Sequence, residues 1–351
     1  MTVNAGTERA SQVRGWFEPE ADALPDPDQG TTYLDAINLA LDHELDSDDR
    51  VVLLGEDIGV MGGAFRVTKG LWERYGDARV IDTPMAEAAL VGMAIGMAVA
   101  GMRPIVELQF ADFISLAYDQ LVTEAAKAHY RFGISVPLVV RTPSGGGVGA
   151  GPFHSQSPEG IFSHVPGLKV VCPATVQDAY DLLRLAIADP NPVLYFEHKA
   201  LYRSLRGPLD LGSAPLPVGR ARICRKGQNL SLITYGGLLR SCLRVAEELV
   251  SDGFEVEVVD LRCLVPLDMD TVAASVRKTA RAVIVHEDTV SFGVGAEIAA
   301  RLASDHFFAL DAPVVRVAPP DTPVPMSRPL EEAFIPSPER IQAAVRQCLA
   351  V

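Results

Sequence analysis

The run "VVLLGE", residues 51–56, decides how this chain must fold. Its first four residues are apolar without interruption, so the strand they build has no polar face to turn towards water. Such a strand is buried on both sides, the condition found inside a parallel sheet covered by helices. Similar runs recur in "PIVEL" (104–108), "PLVVRT" (137–142), "LKVVCPA" (168–174) and "PVLYFE" (192–197). Between them lie stretches of helical period: "TTYLDAINLALDHEL" from Thr31, residues 86–101, "FADFISLAYDQLVTEAAKAHYRF" from Phe110 and "TVQDAYDLLRLAIAD" from Thr175. In the first, Thr31 or Thr32 can cap the helix, and Leu34, Ile37, Leu41 and Leu45 share one face. Strands alternating with helices imply right-handed crossovers, hence an α/β fold with a doubly wound parallel sheet.

Residues 204–222 break both periods with Gly and Pro and are expected to be a linker. Alternation then resumes through "LSLITYG", "EVEVVDLR", "RAVIVHE" and "PVVRVA", which predicts a second, smaller α/β domain over 223–351. The first domain is expected over 31–203. Residues 1–30 are polar and rich in Pro and Asp, the composition of a flexible arm. They lack a basic start followed by an apolar stretch, so no signal peptide is expected.

With 351 residues the chain exceeds what one core ordinarily serves. A net charge of −14 repels nucleic acid and anionic membranes, so neither is an expected partner. Five cysteines without CxxC spacing argue against a zinc site or disulfide framework and suit a reducing, cytoplasmic compartment.

The run "DTPMAEAALVGMAIGMAVAG", residues 82–101, carries a single carboxylate, Glu87, in an otherwise small or apolar stretch from Met85 to Met102. It is too rich in Ala and Gly for a lipid-facing span, so a helix buried within protein is expected. An ionised carboxylate placed there needs a partner, structural or chemical.

Ligands of open α/β sheets bind beyond the carboxyl ends of the strands. Glu56 and Asp57 follow the first strand; "RTPSGGGVGAGPFHSQSPEG", with five glycines between 145 and 151, follows the third and ends near His154. Each feature has an ordinary reading: a surface histidine, a capping carboxylate, an ion-paired core glutamate. No GxSxG elbow accompanies Ser155, and the glycines match neither GxGxxG nor GxxxxGK[ST].

In combination the motifs are specific. "LLGEDIGVMGGAFRVTKGLWERYGDARVIDTPMAE", "VELQFADFISLAYDQLVTEAAK", "FHSQSPEGIFSHVPGLKVVCPAT", "IADPNPVLYFEHKALYR" and "DTPVPMSRPLEEAFIPSPERI" resemble, in order and spacing, the beta subunits of thiamine-diphosphate-dependent 2-oxo acid dehydrogenases. The resemblance covers about residue 31 to the end. It implies a pyrimidine-binding domain followed by a transketolase-like C-terminal domain. It implies that Glu87 hydrogen-bonds the cofactor's pyrimidine N1′, with Glu56 and the aromatic Phe113 nearby, and that His154 is the active-site histidine. It implies a potassium site at Leu138, Ala186, Ile187, Asp189 and Asn191, largely through carbonyl oxygens.

The family's partners follow: an alpha subunit, a second beta chain and a lipoyl acyltransferase, with a 2-oxo acid as substrate. No GDG…N segment for Mg²⁺ and diphosphate is present, so the alpha subunit is expected to hold both. "QFADFI" with "FHSQSPE" leans towards branched-chain substrates, while "FEHKALYR" also resembles acetoin and pyruvate enzymes. Phe153 stands where the family often has Tyr or Gln. A stand-alone transketolase-like enzyme and a non-catalytic assembly scaffold are the rival readings.

Overall fold

A computed structural model describes residues 30–351. The strands are β1 (Thr31–Thr32), β2 (Val51–Gly55), β3 (Val80–Asp82), β4 (Arg103–Glu107) and β5 (Val139–Ser144). They continue with β6 (Lys169–Val171), β7 (Val193–His198), β8 (Arg206–Gly207), β9 (Arg222–Arg225) and β10 (Leu230–Thr234). The last are β11 (Val256–Asp260), β12 (Cys263–Val265), β13 (Ala282–Val285) and β14 (Val315–Val317).

The first sheet has the order β12-β6-β7-β5-β4-β2-β3, parallel throughout except for β12. Its central strands are buried on both faces, as the uninterrupted apolar runs require. Val52 and Leu54 enter one core with Val106, Val140 and Leu194. Their neighbours Val51 and Leu53 enter the opposite core with Ile105, Val139 and Val193. The second sheet, β14-β13-β10-β11-β9, is parallel except at the β9 edge and packs beneath helices Leu239–Glu248 and Pro338–Leu349.

Polar caps set the helix starts. The Thr32 hydroxyl accepts from Asp35 N at the start of Tyr33–Ser47, and the Thr175 hydroxyl accepts from Asp178 N at Val176–Ala188. In the first helix the buried face is Tyr33, Ala36, Ile37, Ala40, Leu41 and Leu45, with Leu34 at its margin. The stretch from Ala111 is helical but not uniformly α: a 3₁₀ segment (Ala111–Ala117) and a π segment (Gln120–Ala125) precede the α-helix Ala126–Phe132.

Two features tie the halves of the chain together. β12, which follows the second sheet's β11, pairs antiparallel with β6 and forms an edge of the first sheet. Beside it Arg262, fully buried, donates to Asp178 Oδ1 (2.8 Å) and to the carbonyls of Arg220 (2.7 Å) and Leu216 (3.1 Å). The guanidinium thereby fastens the 204–222 segment to the first sheet's helix. β8, in the same segment, pairs antiparallel with β1.

The helix Glu87–Val99 departs from expectation. Leu90, Val91, Ala94 and Ala98 are buried, but Met93 (45 % exposed) and Val99 (53 %) are not, nor is Met85 (77 %) just before the helix. This chain covers one side of the helix only, and its small apolar residues do not report enclosure by their own fold. No helix among the described residues is long and apolar enough to cross a membrane.

Candidate active site at the carboxyl ends of the first sheet

β3 lies on one side of β2 and β4 on the other, so the chain reverses its direction of travel between β2 and β4. That switch point opens a crevice at the strands' carboxyl ends. Glu56 follows β2, Glu87 begins the helix after β3, and Phe110 and Phe113 follow β4. The glycine-rich loop with His154 follows β5, His198 ends β7 and Lys199 follows it.

Glu87 is half-buried at the first position of its helix, where the peptide dipoles favour negative charge. Its carboxylate makes no hydrogen bond to another described residue and stays available to an incoming donor. Glu56 is close enough to feel it: burial, then the charges of Asp57 and Glu87, raise the Glu56 carboxyl above its ordinary range. Two carboxylates therefore share the crevice, and a protonated or donor-bearing ligand would relieve their repulsion.

His154 sits against an aromatic wall. Its ring lies 4.5 Å from Phe110 and 5.5 Å from Phe113, both edge-on. Phe113 belongs to the 3₁₀ segment that packs on the Glu87 helix, so that helix and His154 flank one aromatic element. Phe153, by contrast, is 71 % exposed.

Sequence reasoning missed the groups behind this wall. Lys199, 5 % exposed, holds its ammonium 5.9 Å from the Phe110 ring with no hydrogen-bond partner. Burial lowers its pKa to about 8, against the attraction of Asp112, Glu287, Glu159 and Glu331. Asp112 accepts from Gln156 N (3.3 Å), while its Oδ2 is buried without a partner. Glu159, whose Oε1 accepts from the Tyr235 hydroxyl (3.1 Å), is raised well above the carboxylate range by burial and by Asp288. A charge directly after an apolar run, as in "LYFEHK" and "VIVHE", was the available signal.

The glycine loop's amides are already engaged. Gly146 N donates to Glu287 Oε1 (2.5 Å), Gly147 N to Glu331 Oε1 (2.9 Å) and Gly149 N to Glu331 Oε2 (2.9 Å). The loop is thus no open cradle for phosphate.

Leu138, Ala186, Ile187, Asp189 and Asn191 lie together at the end of helix Val176–Ala188. Asp189 N donates to Ala186 O, Asn191 N to Asp189 Oδ1, and Val193 N to Leu138 O. The carbonyls of Ile187 (2.5 Å) and Asp189 (3.5 Å) accept from the Arg103 guanidinium, and the Asp189 carboxylate pairs with Lys169. Main-chain oxygens here already solvate a cation of this chain. Among the described residues no group of three or more His, Cys, Asp or Glu could hold a metal ion.

Residues 29–204 match the transketolase pyrimidine-binding domain and residues 219–341 the transketolase C-terminal domain. The 2-oxoisovalerate dehydrogenase subunit beta of Bacillus subtilis is 46 % identical over 90 % of this chain and 98 % of its own length. The chain belongs to the beta subunits of the thiamine-diphosphate-dependent 2-oxo acid dehydrogenases. Within that family, the acetoin:2,6-dichlorophenolindophenol oxidoreductase subunit beta of Cupriavidus necator is 45 % identical over 90 % of this chain and 96 % of its own. The pyruvate dehydrogenase E1 component subunit beta of Staphylococcus epidermidis is 43 % identical, over 88 % and 96 %. A solved "split gene transketolase, inactive beta4 tetramer" superposes with a TM-score of 0.75 at 21 % identity, covering 92 % of this chain and 99 % of its own; it shares the fold.

Proposed function

We propose that this beta subunit works with an alpha subunit to decarboxylate a 2-oxo acid oxidatively and pass the acyl group to lipoamide, a branched-chain acid being the favoured substrate. One observation carries the reading. The crevice offers a carboxylate, Glu87, and an aromatic–histidine wall, Phe113 with His154, while the amides of the glycine-rich loop that leads to His154 are filled by this chain's own carboxylates. That is a surface for a pyrimidine without a cradle for its diphosphate.

When bound, thiamine diphosphate would supply the nucleophilic carbon and the electron sink that decarboxylation of a 2-oxo acid needs. The residues present fit its pyrimidine half. Glu87, without a hydrogen-bond partner among the described residues, would hold a proton at the pyrimidine N1′; the Phe113 ring would supply an apolar flank, and Glu56 would add to the local negative charge. His154, between aromatic rings and open on its other side, gives and takes a proton during acyl transfer. Magnesium and diphosphate ligands are assigned to the alpha subunit, and a second beta chain and a lipoyl acyltransferase complete the assembly. A potassium ion at the oxygens around Asp189 would have to compete with the Arg103 guanidinium, which already engages the Ile187 and Asp189 carbonyls.

The test is a thiamine diphosphate titration by calorimetry and a 2-oxo acid panel, on this chain alone and with its alpha partner. The chain alone should bind poorly and turn over nothing; the pair should do both and prefer branched substrates. Full activity from the single chain would overturn the half-site reading.

A further inference from the structure

The glycine loop Gly145–Gly151 alternates between left-handed and ordinary backbone. Gly145, Gly147, Gly149 and Gly151 have φ of +83°, +84°, +72° and +70°. That alternation turns successive N–H groups to one side and makes a concave anion-binding surface. The anions that fill it come from the C-terminal domain: Glu287, which follows β13, and Glu331, in helix Arg328–Phe334. Glu331 is 3 % exposed and spends both oxygens on the loop. The fit is close on every side. A Cβ on Gly146 would stand 3.1 Å from Ile335 Cδ1 and 3.2 Å from Glu331 Oε1, and one on Gly151 would stand 3.0 Å from Met326 Cβ. Glu287 is braced in turn by His198, Nε2 to Oε2 at 2.7 Å.

We propose that Glu331 and Glu287 are positioning residues of the C-terminal domain, whose carboxylates hold the glycine loop and through it place His154. The left-handed glycines are individually flexible; the His154 ring is held by Phe110 and Phe113, but the loop's other backbone hydrogen bonds are short-range, such as Gly145 N to Gln156 O (3.0 Å) and His154 N to Gly151 O (3.2 Å). Amide bonds to an ionised acceptor are stronger than neutral ones, so two carboxylates suffice to choose one loop conformation. Lys199 stands beneath the same groups and offsets the charge gathered there. The C-terminal domain thus completes the site from behind. The consequence for chemistry rests on the role proposed above for His154.

Glu331→Ala and Glu331→Gln, each in the full chain with its alpha subunit, test this. Amide hydrogen exchange over 145–157 should quicken by about tenfold or more in Glu331→Ala and by less in Glu331→Gln, which keeps one acceptor oxygen. Exchange over β10 and β11 should not change. Lipoyl-domain acylation should fall several-fold more than decarboxylation, with KM for the 2-oxo acid unaltered. Loop exchange equal to the parent in both variants would overturn the inference. Should Glu331→Ala fail to fold, Glu331→Gln and Glu287→Gln are read by the same criteria. A loosened loop with the two activities falling in step leaves the clamp standing and counts against His154, so the two failures are separable.

Discussion

The Phe110 ring meets the His154 imidazole edge-on, with centroids 4.5 Å apart and planes at 87°. Phe113 meets it similarly at 84°. Aromatic contacts fix the imidazole's place without engaging its nitrogens, which have no hydrogen bond to another described residue. A histidine so held can exchange protons with a group arriving from outside the chain. His154→Ala should therefore spare decarboxylation, assayed with an artificial electron acceptor, more than acylation of a lipoyl domain. Equal loss of both would place the histidine at or before decarboxylation.

Glu87 acts earlier in this scheme. Glu87→Gln keeps the shape and removes the charge proposed to hold the N1′ proton. Exchange of the bound cofactor's C2 hydrogen for deuterium should slow by about 10²–10⁴-fold, the range of a general acid–base group. Both activities should fall together, and the unfolding midpoint should stay put because the carboxylate has no hydrogen bond to a described residue to lose, and the lost helix-dipole attraction is offset by relief of its repulsion with Glu56. An unchanged exchange rate would return Glu87 to a structural role.

Asp260, at the end of β11, sets a pH dependence of stability. It is fully buried with Oδ2 unpartnered, and burial plus the nearby Asp178 push its carboxyl up to about 7. Unfolded, it would titrate near 3.9. Between those values the native state holds the extra proton, so the stabilisation is complete at low pH and is lost as pH rises through about 7. The slope cannot exceed about 1.4 kcal/mol per pH unit for one proton. Urea unfolding from pH 5 to 8 should show the parent weakening across this window relative to Asp260→Asn. Parallel curves for the two proteins would exclude Asp260 as the titrating group.

The strands were legible because burial on both faces leaves apolar runs that cannot be mistaken for alternating ones; "VVLLGE" and "PVLYFE" became β2 and β7. The caps at Thr32 and Thr175 were legible for an equally local reason. β12 was not: its three residues follow a strand of the second sheet yet pair with β6 of the first, a partner that no local pattern names. The Glu87 helix looked like a buried one because small apolar residues suit any close contact, whether with the same chain or another. Glu331 lies 182 residues from the Gly149 amide it accepts from, and no spacing rule spans that distance. Site residues that bind a cofactor recur as local motifs; those that only hold the motif in place do not.

Arg141 joins three of the strands that carry the site. Its guanidinium donates to Glu197 through two bonds of 2.6 Å and pairs with Glu107, and Tyr202 adds a bond to Glu197 at 2.6 Å. Arg141 is 1 % exposed, Glu107 4 % and Glu197 0 %, so the ions have little water to fall back on. Glu107 closes β4, Arg141 lies in β5 and Glu197 in β7, so the triad spans the ends from which the aromatic wall, the glycine loop and Lys199 emerge. Removing one member of such a cluster leaves its partners buried and unpaired, at a cost of about 3–5 kcal/mol. Arg141→Met should lose that much in urea unfolding. Arg141→Lys should recover only part of it, since an ammonium cannot reproduce the two-bond fork to Glu197 while reaching Glu107. Replacing all three, Glu107→Gln, Arg141→Met and Glu197→Gln, removes the stranded charges and should be less destabilised than Arg141→Met alone. If Arg141→Met loses under about 1 kcal/mol, within the range of an exposed ion pair, the triad does not hold these strand ends together.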